Sequence, residues 1–326
     1  MDLVRPSSIL IGNVNLALPA FFPSISSVKT ALLPREYLEL LASLTGVVDK
    51  FLISAFDLNG IERPEDAMAS LIKARQGGAI TLMDSGNYES FWKDAQSRWT
   101  QEKFHDTLVR FPCDLAFGFD EQSPPTDRME HVDLIVRGWH RDQGAAGECC
   151  IIPIVHSQAG DLPGLCAAVA KTTGVKMIAV AERRLGEGFL QRFETVECIR
   201  RALNSLERYV ALHLLGTGNP ISIASYAAAG ADSFDGLEWC QTVVDHESGL
   251  LYHLSQADFF AAQTSWTDAG LSFQARTLAH NLDFFAGWMT RLREAVAQNK
   301  VPDFCRLHFS PRVFAHVAQK AKWSAE

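Results

Sequence analysis

The segment Tyr209-Val-Ala-Leu-His-Leu-Leu-Gly-Thr-Gly-Asn-Pro220 and its continuation Ala231-Asp-Ser-Phe-Asp-Gly-Leu-Glu-Trp239 decide the fold of this chain. An apolar stretch runs into the turn Gly216-Thr-Gly218, an alanine-rich helix is predicted from Ile221 to Ala229, and a second apolar stretch leads to Asp235. This order predicts a βαβ unit, in which a helix joins two parallel strands. The first strand ends in backbone N–H groups, and the second ends in a carboxylate.

Similar apolar stretches recur along the whole chain. Because polar residues do not alternate within them, they indicate strands that are covered on both faces, as in a parallel sheet. The eight stretches are Leu16–Phe22, Phe51–Phe56, Ala79–Met83, Asp114–Phe119, Cys150–Val155, Lys176–Ala181, Tyr209–Leu215 and Asp232–Leu237. Segments with helical periodicity separate them, such as Phe189 to Leu206. Eight strands alternating with helices predict an α/β fold, the eight-stranded β/α (TIM) barrel.

A doubly wound open sheet is the alternative fold, but its Gly-x-Gly-x-x-Gly signature does not follow the first strand. From Ser248 onward the pattern is purely helical, with an apolar face that includes Phe285, Trp288 and Leu292. We therefore predict a β/α barrel catalytic domain at residues 1–247 and a C-terminal helical extension, packed on the barrel, at residues 248–326.

Composition narrows the possible partners. The chain has 326 residues and a net charge of −8, so a nucleic-acid partner would need a local basic patch or a partner subunit. The seven scattered cysteines predict reduced thiols in a cytoplasmic protein. No stretch approaches the ~20 apolar residues that span a bilayer, so we expect no membrane partner.

Polar residues follow the predicted strands, where the chemistry of a β/α barrel collects. In strand order they are Asp57, Asp84, Asp120, His156, Glu182, the turn Gly216–Gly218 and Asp235. Any one carboxylate is equally consistent with a helix N-cap or a solvated loop, and the glycine turn with a helix opening at Asn219-Pro220. His156 is equally consistent with a buried structural histidine. Several carboxylates in one barrel mouth, however, push their pKa values apart, which equips one as an acid and another as a nucleophile or base.

A metal site has little support in the residues themselves. The chain contains no Cys-x-x-Cys, and Cys149 and Cys150 would point to opposite faces of a strand. Cys305-x-x-His308 is only half of a metal-binding motif.

Seven short motifs, in order along most of the chain, resemble the tRNA-guanine transglycosylase family and its DNA-modifying relatives, which insert 7-deazaguanines. Met83-Asp-Ser-Gly-Asn-Tyr88 is similar to the family's Asp-Ser-Gly-Gly-aromatic motif, and Ser233-Phe-Asp235 to its Met-Phe-Asp motif. The other five are Leu18–Lys29, Ala116–Glu121, Ala181–Gly188, Leu214–Pro220 and Leu278–Leu282.

This resemblance implies a role for each matching residue. Asp235 would attack the anomeric carbon of a guanosine and form a covalent glycosyl intermediate, while Asp84 would handle protons as one base leaves and another enters. Asp120 would bind the Watson–Crick edge of the base, and Gly216 and Gly218 would line the pocket. A base reaches such a pocket only after it is turned out of its stack, and Tyr88 would then stack on it.

Four departures from the family pattern alter these expectations. His156 stands where the family has a glutamine, and Glu182-Arg183 stands where it has a glycine pair, so we expect both His156 and Glu182 to contact the base in an altered way. The basic segment after the nucleophile is replaced by Glu238-Trp-Cys-Gln241, which favours DNA, or a polynucleotide presented by a partner protein, over tRNA.

The fourth departure concerns zinc. The family's Cys-x-Cys-x-x-Cys has no counterpart, whereas its fourth ligand position is kept as His280. Either Zn²⁺ is lost, or His280 binds it with an unfamiliar set such as His253, Asp258 or Cys305.

The sequence thus predicts a nucleic-acid base transglycosylase that exchanges guanine for a 7-deazaguanine. Two alternatives stay open: a catalytically silent positioning subunit of a modification complex, and a nucleoside N-glycosidase.

Overall fold

A computed structural model describes residues 4–44, 46–96, 98–121, 124–266 and 270–323 of the chain. The chain begins with an antiparallel hairpin of β1 (Ser8–Ile11) and β2 (Val14–Ala17). Gly12 lies in its two-residue turn with φ +56°, a conformation that glycine adopts without strain. Leu16, predicted to open the first barrel strand, therefore belongs to this hairpin instead, and the barrel strand begins at Ala20.

Eight parallel strands form the barrel. They are β3 (Ala20–Ile25), β4 (Lys50–Ser54), β5 (Ile80–Asp84), β6 (Leu115–Phe117), β7 (Cys150–Ile152), β8 (Met177–Ala181), β9 (Ala211–Leu215) and β10 (Ser233–Gly236). Neighbours along the chain pair from β3 to β7 and from β8 to β10, and β10 pairs with β3. A parallel bridge between Ile154 and Ala179 joins the remaining edges, with Val155 N donating to Ala179 O at 2.9 Å. The predicted β/α barrel is confirmed. The alternative, an open sheet, is wrong because the two outer strands, β7 and β8, meet.

Helices cover the outside of the barrel. They are α1 (Pro34–Ser43), α2 (Ala55–Asn59), α3 (Pro64–Gln76), α4 (Asn87–Trp92), α5 (Gln101–Arg110), α6 (Arg128–Ala145), α7 (Leu162–Thr173), α8 (Phe189–Asn204), α9 (Pro220–Ala229) and α10 (Glu238–Gln241). Asn219 caps α9, because its Oδ1 accepts from Ile221 N at 3.0 Å and Ser222 N at 3.2 Å, and Pro220 occupies the first helical turn. The expected helix opening at Asn219-Pro220 is thus confirmed.

The apolar core has two layers, one on each side of the strands. The inner layer fills the barrel with side chains such as Phe22 and Phe117, and Ile11 and Leu16 of the hairpin complete it. The outer layer lies between strands and helices and continues without interruption into the C-terminal segment. The inner layer keeps the barrel from being a pore, so that any cavity must lie at one of its ends.

The C-terminal segment contains β11 (Thr242–Val244), β12 (Leu251–His253), a 3₁₀ helix (Leu254–Gln263), α11 (Phe273–Ala297), α12 (Val301–His308) and α13 (Pro311–Ala321). β11 and β12 pair antiparallel, so the expectation of a purely helical segment from Ser248 is wrong at β12. Three residues are too few for a periodic pattern to reveal a strand. The ring of Phe285 in α11 stacks on Phe21 of β3 with centroids 4.5 Å apart, which fixes the long helix to the barrel. Among the described residues, no helix has both the length and the apolar character that crossing a membrane requires.

Candidate active site

A cavity of about 440 Å³ opens where the barrel strands end. Seven of the nine residues predicted for the site line it, namely Asp84, Tyr88, Asp120, His156, Glu182, Gly216 and Asp235. Gly218 and His280 are not in this lining. Residues from β3, β5, β8, β9 and β10 thus meet in one place because parallel strands in a closed barrel all end at the same face.

Asp235 is held by three hydrogen-bond donors. Its Oδ2 accepts from Ser24 Oγ at 2.9 Å, and its Oδ1 lies 3.0 Å from His213 Nε2 and accepts from Gly216 N at 3.1 Å. These contacts come from the ends of β3 and β9, the two strands that flank β10. They fix both oxygens of the carboxylate at the floor of the cavity.

His213 is a site residue that the sequence did not reveal, because a single histidine within an apolar strand reads as core. It is fully buried in the barrel, and its Nδ1 lies 2.8 Å from Ser233 Oγ. When the Ser233 hydroxyl donates to Nδ1, Nε2 carries the proton and donates to Asp235. The Ser233–His213–Asp235 chain therefore orients the carboxylate.

Asp84 has a pKa suited to proton transfer near neutral pH. Burial, together with the negative charges of Asp120 and Asp235, raises the pKa of Asp84 to about 7 against the opposing hydrogen bond from Gly86 N at 3.0 Å. Gly86 is required here, because its φ is +85° and a Cβ would lie 2.6 Å from the backbone N of Phe56.

Asp120 has the opposite electrostatic environment. Burial acts to raise the pKa of Asp120, but the hydrogen bond and charge of His156 outweigh it and hold that pKa below its usual value. Asn87 Nδ2 donates to the same carboxylate at 2.8 Å, and Ser85 Oγ donates at 3.0 Å. Asp120 and Asp84 therefore differ in protonation at the same pH. Asp120 stays ionised and accepts hydrogen bonds, whereas Asp84 can hold and release a proton.

Glu89 is a second residue that the sequence analysis missed, although it directly follows the Asp-Ser-Gly-Asn-Tyr motif. It is buried, and it accepts hydrogen bonds from Ser26 Oγ at 2.6 Å and Ser54 Oγ at 2.8 Å. Burial raises the pKa of Glu89 to about 8, and the charges of Asp84 and Asp57 add to the effect. Asp57, expected at the end of the second strand, lies in α2, and burial raises its pKa as well.

The glycine loop after β9 faces carboxylates of the chain itself. The amide of Gly216 donates to Asp235, and the amide of Gly218 is hydrogen-bonded to Glu238. A Cβ on Gly218 would lie 2.1 Å from Glu238 Oε2, so this close packing needs glycine. The expectation that Gly216 and Gly218 both line the pocket therefore requires correction: Gly216 lines the cavity, whereas Gly218 supports Glu238.

Glu182 and Glu238 add carboxylates to the side of the cavity. Glu182 accepts from Arg192 Nη1 at 3.1 Å and from Tyr226 OH at 3.1 Å, so its charge is partly balanced. Burial raises the pKa of Glu238 to about 7, in spite of the amides that donate to it. A ligand that enters this side of the cavity therefore meets Glu182, whose charge is partly balanced by Arg192, and Glu238, which can hold a proton near neutral pH.

His280 lies in α11, outside the cavity lining. Its Nε2 lies 2.8 Å from the carbonyl oxygen of Val244, and its ring stacks on His246 with centroids 4.0 Å apart. Throughout the described part of the chain, no three side chains of His, Cys, Asp or Glu come together as a metal ion requires. These residues therefore do not fit the zinc site that the resemblance implied, and the hydrogen bond to Val244 gives His280 a structural role instead.

Comparison of the chain with family models and with curated proteins finds no match to either.

Proposed function

We propose that this protein is a nucleic-acid base transglycosylase, which replaces a guanine, in DNA rather than tRNA, with a 7-deazaguanine. One observation carries the proposal: Asp235 and Asp84 line the same cavity, the first with both oxygens held by hydrogen-bond donors and the second with a pKa of about 7. A displacement in two steps at a sugar carbon needs these two functions, a nucleophile and a proton carrier.

In the first step, an oxygen of Asp235 forms a bond to C1′ of the target nucleotide as the bond from C1′ to N9 of guanine breaks. Protonated Asp84 gives its proton to the departing base, which leaves as neutral guanine. In the second step, ionised Asp84 takes the N9 proton of the incoming base as that nitrogen attacks C1′ and releases Asp235. Two inversions at C1′ give overall retention of configuration.

Asp120 is suited to recognise the base. The Watson–Crick edge of guanine presents N–H donors, and a carboxylate that stays ionised accepts them strongly. His156, Asn87 and Ser85 hold this carboxylate in place, so its orientation does not depend on the ligand. Tyr88 lines the cavity and offers a ring face to a base that has left its stack.

The test is incorporation of labelled guanine and of a labelled 7-deazaguanine into single-stranded DNA, duplex DNA and tRNA. We expect incorporation into DNA, and we expect a covalent adduct of the wild-type protein with DNA on denaturing gels. Asp235→Asn should abolish both. A folded wild-type protein that labels none of the three polymers would overturn the proposal. Labelling of tRNA alone would overturn the preference for DNA.

A nucleoside N-glycosidase is the second candidate, favoured by the net charge of −8, which does not attract polyanions in general. Water would then replace the incoming base, using the same carboxylates. Release of free guanine from a mononucleoside in the absence of polynucleotide would favour this function. A positioning subunit, which acts with a partner protein, is favoured instead if modification in cells survives Asp235→Asn.

A further inference from the structure

Three aromatic side chains of α4 stand exposed at the mouth of the cavity. Tyr88, Phe91 and Trp92 are 37%, 60% and 50% exposed, and they form the surface that we call the aromatic rim. The ring of Trp92 contacts both others edge-on, with centroids 6.4 Å from Tyr88 and 5.7 Å from Phe91. Since Tyr88 also lines the cavity, the rim continues directly from the site to the outer surface.

Positive charge accompanies these rings. Lys29 Nζ lies 4.0 Å from the centre of the Trp92 ring, and Lys29 also lines the cavity. Lys93 follows Trp92 and is exposed, and exposed Arg183 lines the cavity near Tyr88. In a chain with a net charge of −8, this is the local basic patch that a polyanion would need.

We propose that the aromatic rim binds the nucleotide next to the target nucleotide in single-stranded DNA. Its base stacks on Trp92, with the ring of Phe91 beside it, and its phosphate lies at Lys29. This inference rests on the proposed function, and it names the part of the substrate that the cavity itself does not hold.

The physical reason is the loss of stacking around an extruded base. A nucleotide that enters a buried cavity leaves its neighbour with an uncovered face, and an aromatic side chain replaces the lost stacking at about 1–3 kcal/mol per base. Exposed rings next to ammonium groups are the usual surface that single strands recognise. The occupant is DNA because the proposed function acts on DNA.

The experiment measures fluorescence anisotropy of a short labelled DNA strand that carries one central deoxyguanosine among thymidines. Asp235→Asn serves as the background, so that no turnover occurs during titration. We expect Trp92→Ala to weaken binding about tenfold, Phe91→Ala to weaken it less, and Trp92→Phe to restore most of it. Lys29→Ala should lower the dependence of log K on log salt by about 0.7, as for one phosphate contact.

Phe259→Ala is the matched control, because Phe259 is 78% exposed in the 3₁₀ helix and does not line the cavity. Equal binding by the Trp92→Ala and Phe259→Ala proteins would overturn the rim, as would failure of the background protein to bind the strand. An RNA strand of the same pattern that binds more tightly would overturn the assignment to DNA.

Incorporation of labelled base by the wild-type protein is measured in parallel. If the wild-type protein incorporates no labelled base but its binding of the strand depends on Trp92, the proposed function is wrong and the aromatic rim remains a DNA-binding surface. Incorporation that persists while Trp92→Ala binds normally removes the rim alone.

Discussion

Asp232 and Asp235 stand three residues apart, the first just before β10 and the second near its end, and their surroundings differ completely. Asp232, at the start of the strand, lies 2.8 Å from Arg5 Nε and 2.5 Å from Arg200 Nη2. It also accepts from Tyr209 OH at 2.6 Å and from Leu212 N at 2.8 Å. Asp235, at the end of the strand, has hydroxyl, imidazole and amide donors but, among the described residues, no lysine or arginine ion pair.

The same contrast holds for other carboxylates. Asp114, just before β6, accepts from Arg75 Nη2 at 2.8 Å and from Thr81 N at 2.8 Å. At the mouth, burial raises the pKa of Asp84, Glu89 and Glu238, because donors and counter-charges do not offset their desolvation. Carboxylates at the amino ends of the strands therefore stabilise the fold, whereas Asp84, Glu89 and Glu238 at the mouth cost stability. Charges that cost stability and converge on a cavity are typical of functional sites.

Among the predictions that test this contrast, Asp84→Asn, at the mouth of the cavity, should have the largest effect. Loss of a general acid and base should slow base exchange about 10²- to 10⁴-fold, while the free energy of unfolding stays equal or rises. Single-turnover formation of the covalent adduct, together with urea denaturation, measures both. A variant that retains full activity would remove Asp84 from the chemistry.

Asp232→Asn tests the other end of the strand. Removal of this charge leaves Arg5 and Arg200 partly buried without their counter-ion, so we expect a loss of about 3–5 kcal/mol in the free energy of unfolding. Asp235→Asn is the matched control, three residues away, and should lose much less. Urea denaturation measures both variants, and equal losses in their free energies of unfolding would contradict the contrast between Asp232 and Asp235.

Glu89→Gln should stabilise the protein at alkaline pH. The pKa of Glu89 is about 8 in the folded state and near 4 when unfolded, so its favourable contribution is complete below pH 4 and is lost as pH rises through 8. The glutamine variant, which has no proton to lose, should become more stable than the wild type by about 2–4 kcal/mol at pH 9. Urea denaturation from pH 5 to pH 9 measures the difference, and a constant difference would contradict a protonated Glu89.

The pH dependence of the chemical step is the smallest of the four effects. Because the proposed mechanism needs protonated Asp84 to release the first base, the rate of adduct formation should fall up to tenfold per pH unit above its pKa of about 7. Rapid-quench measurements without an acceptor base isolate this step. An adduct rate that rises through pH 7 would instead give Asp84 the role of base in the first step.

Much of the architecture could be predicted from the sequence, since continuous apolar strands alternating with periodic helices have few stable packings. The three aspartates of the site were also predicted, because each directly follows or ends a strand. His213 was not, since its partners Ser233 and Asp235 lie on a neighbouring strand and depend on the register of β9 against β10. Gly218 was assigned to the pocket because a sequence does not show that Glu238 folds back onto it.

The pattern of residues along the chain is enough to predict the barrel, the order of its strands and the end of the barrel at which the carboxylates gather. Periodicity and strand ends are local properties of the chain, so they can be predicted from the amino-acid sequence. The protonation of each carboxylate, by contrast, depends on the folded structure, because it is set by burial and by donors from distant segments. Asp232 and Asp235 are chemically identical, and closure of the barrel gave the first two arginines and the second a cavity.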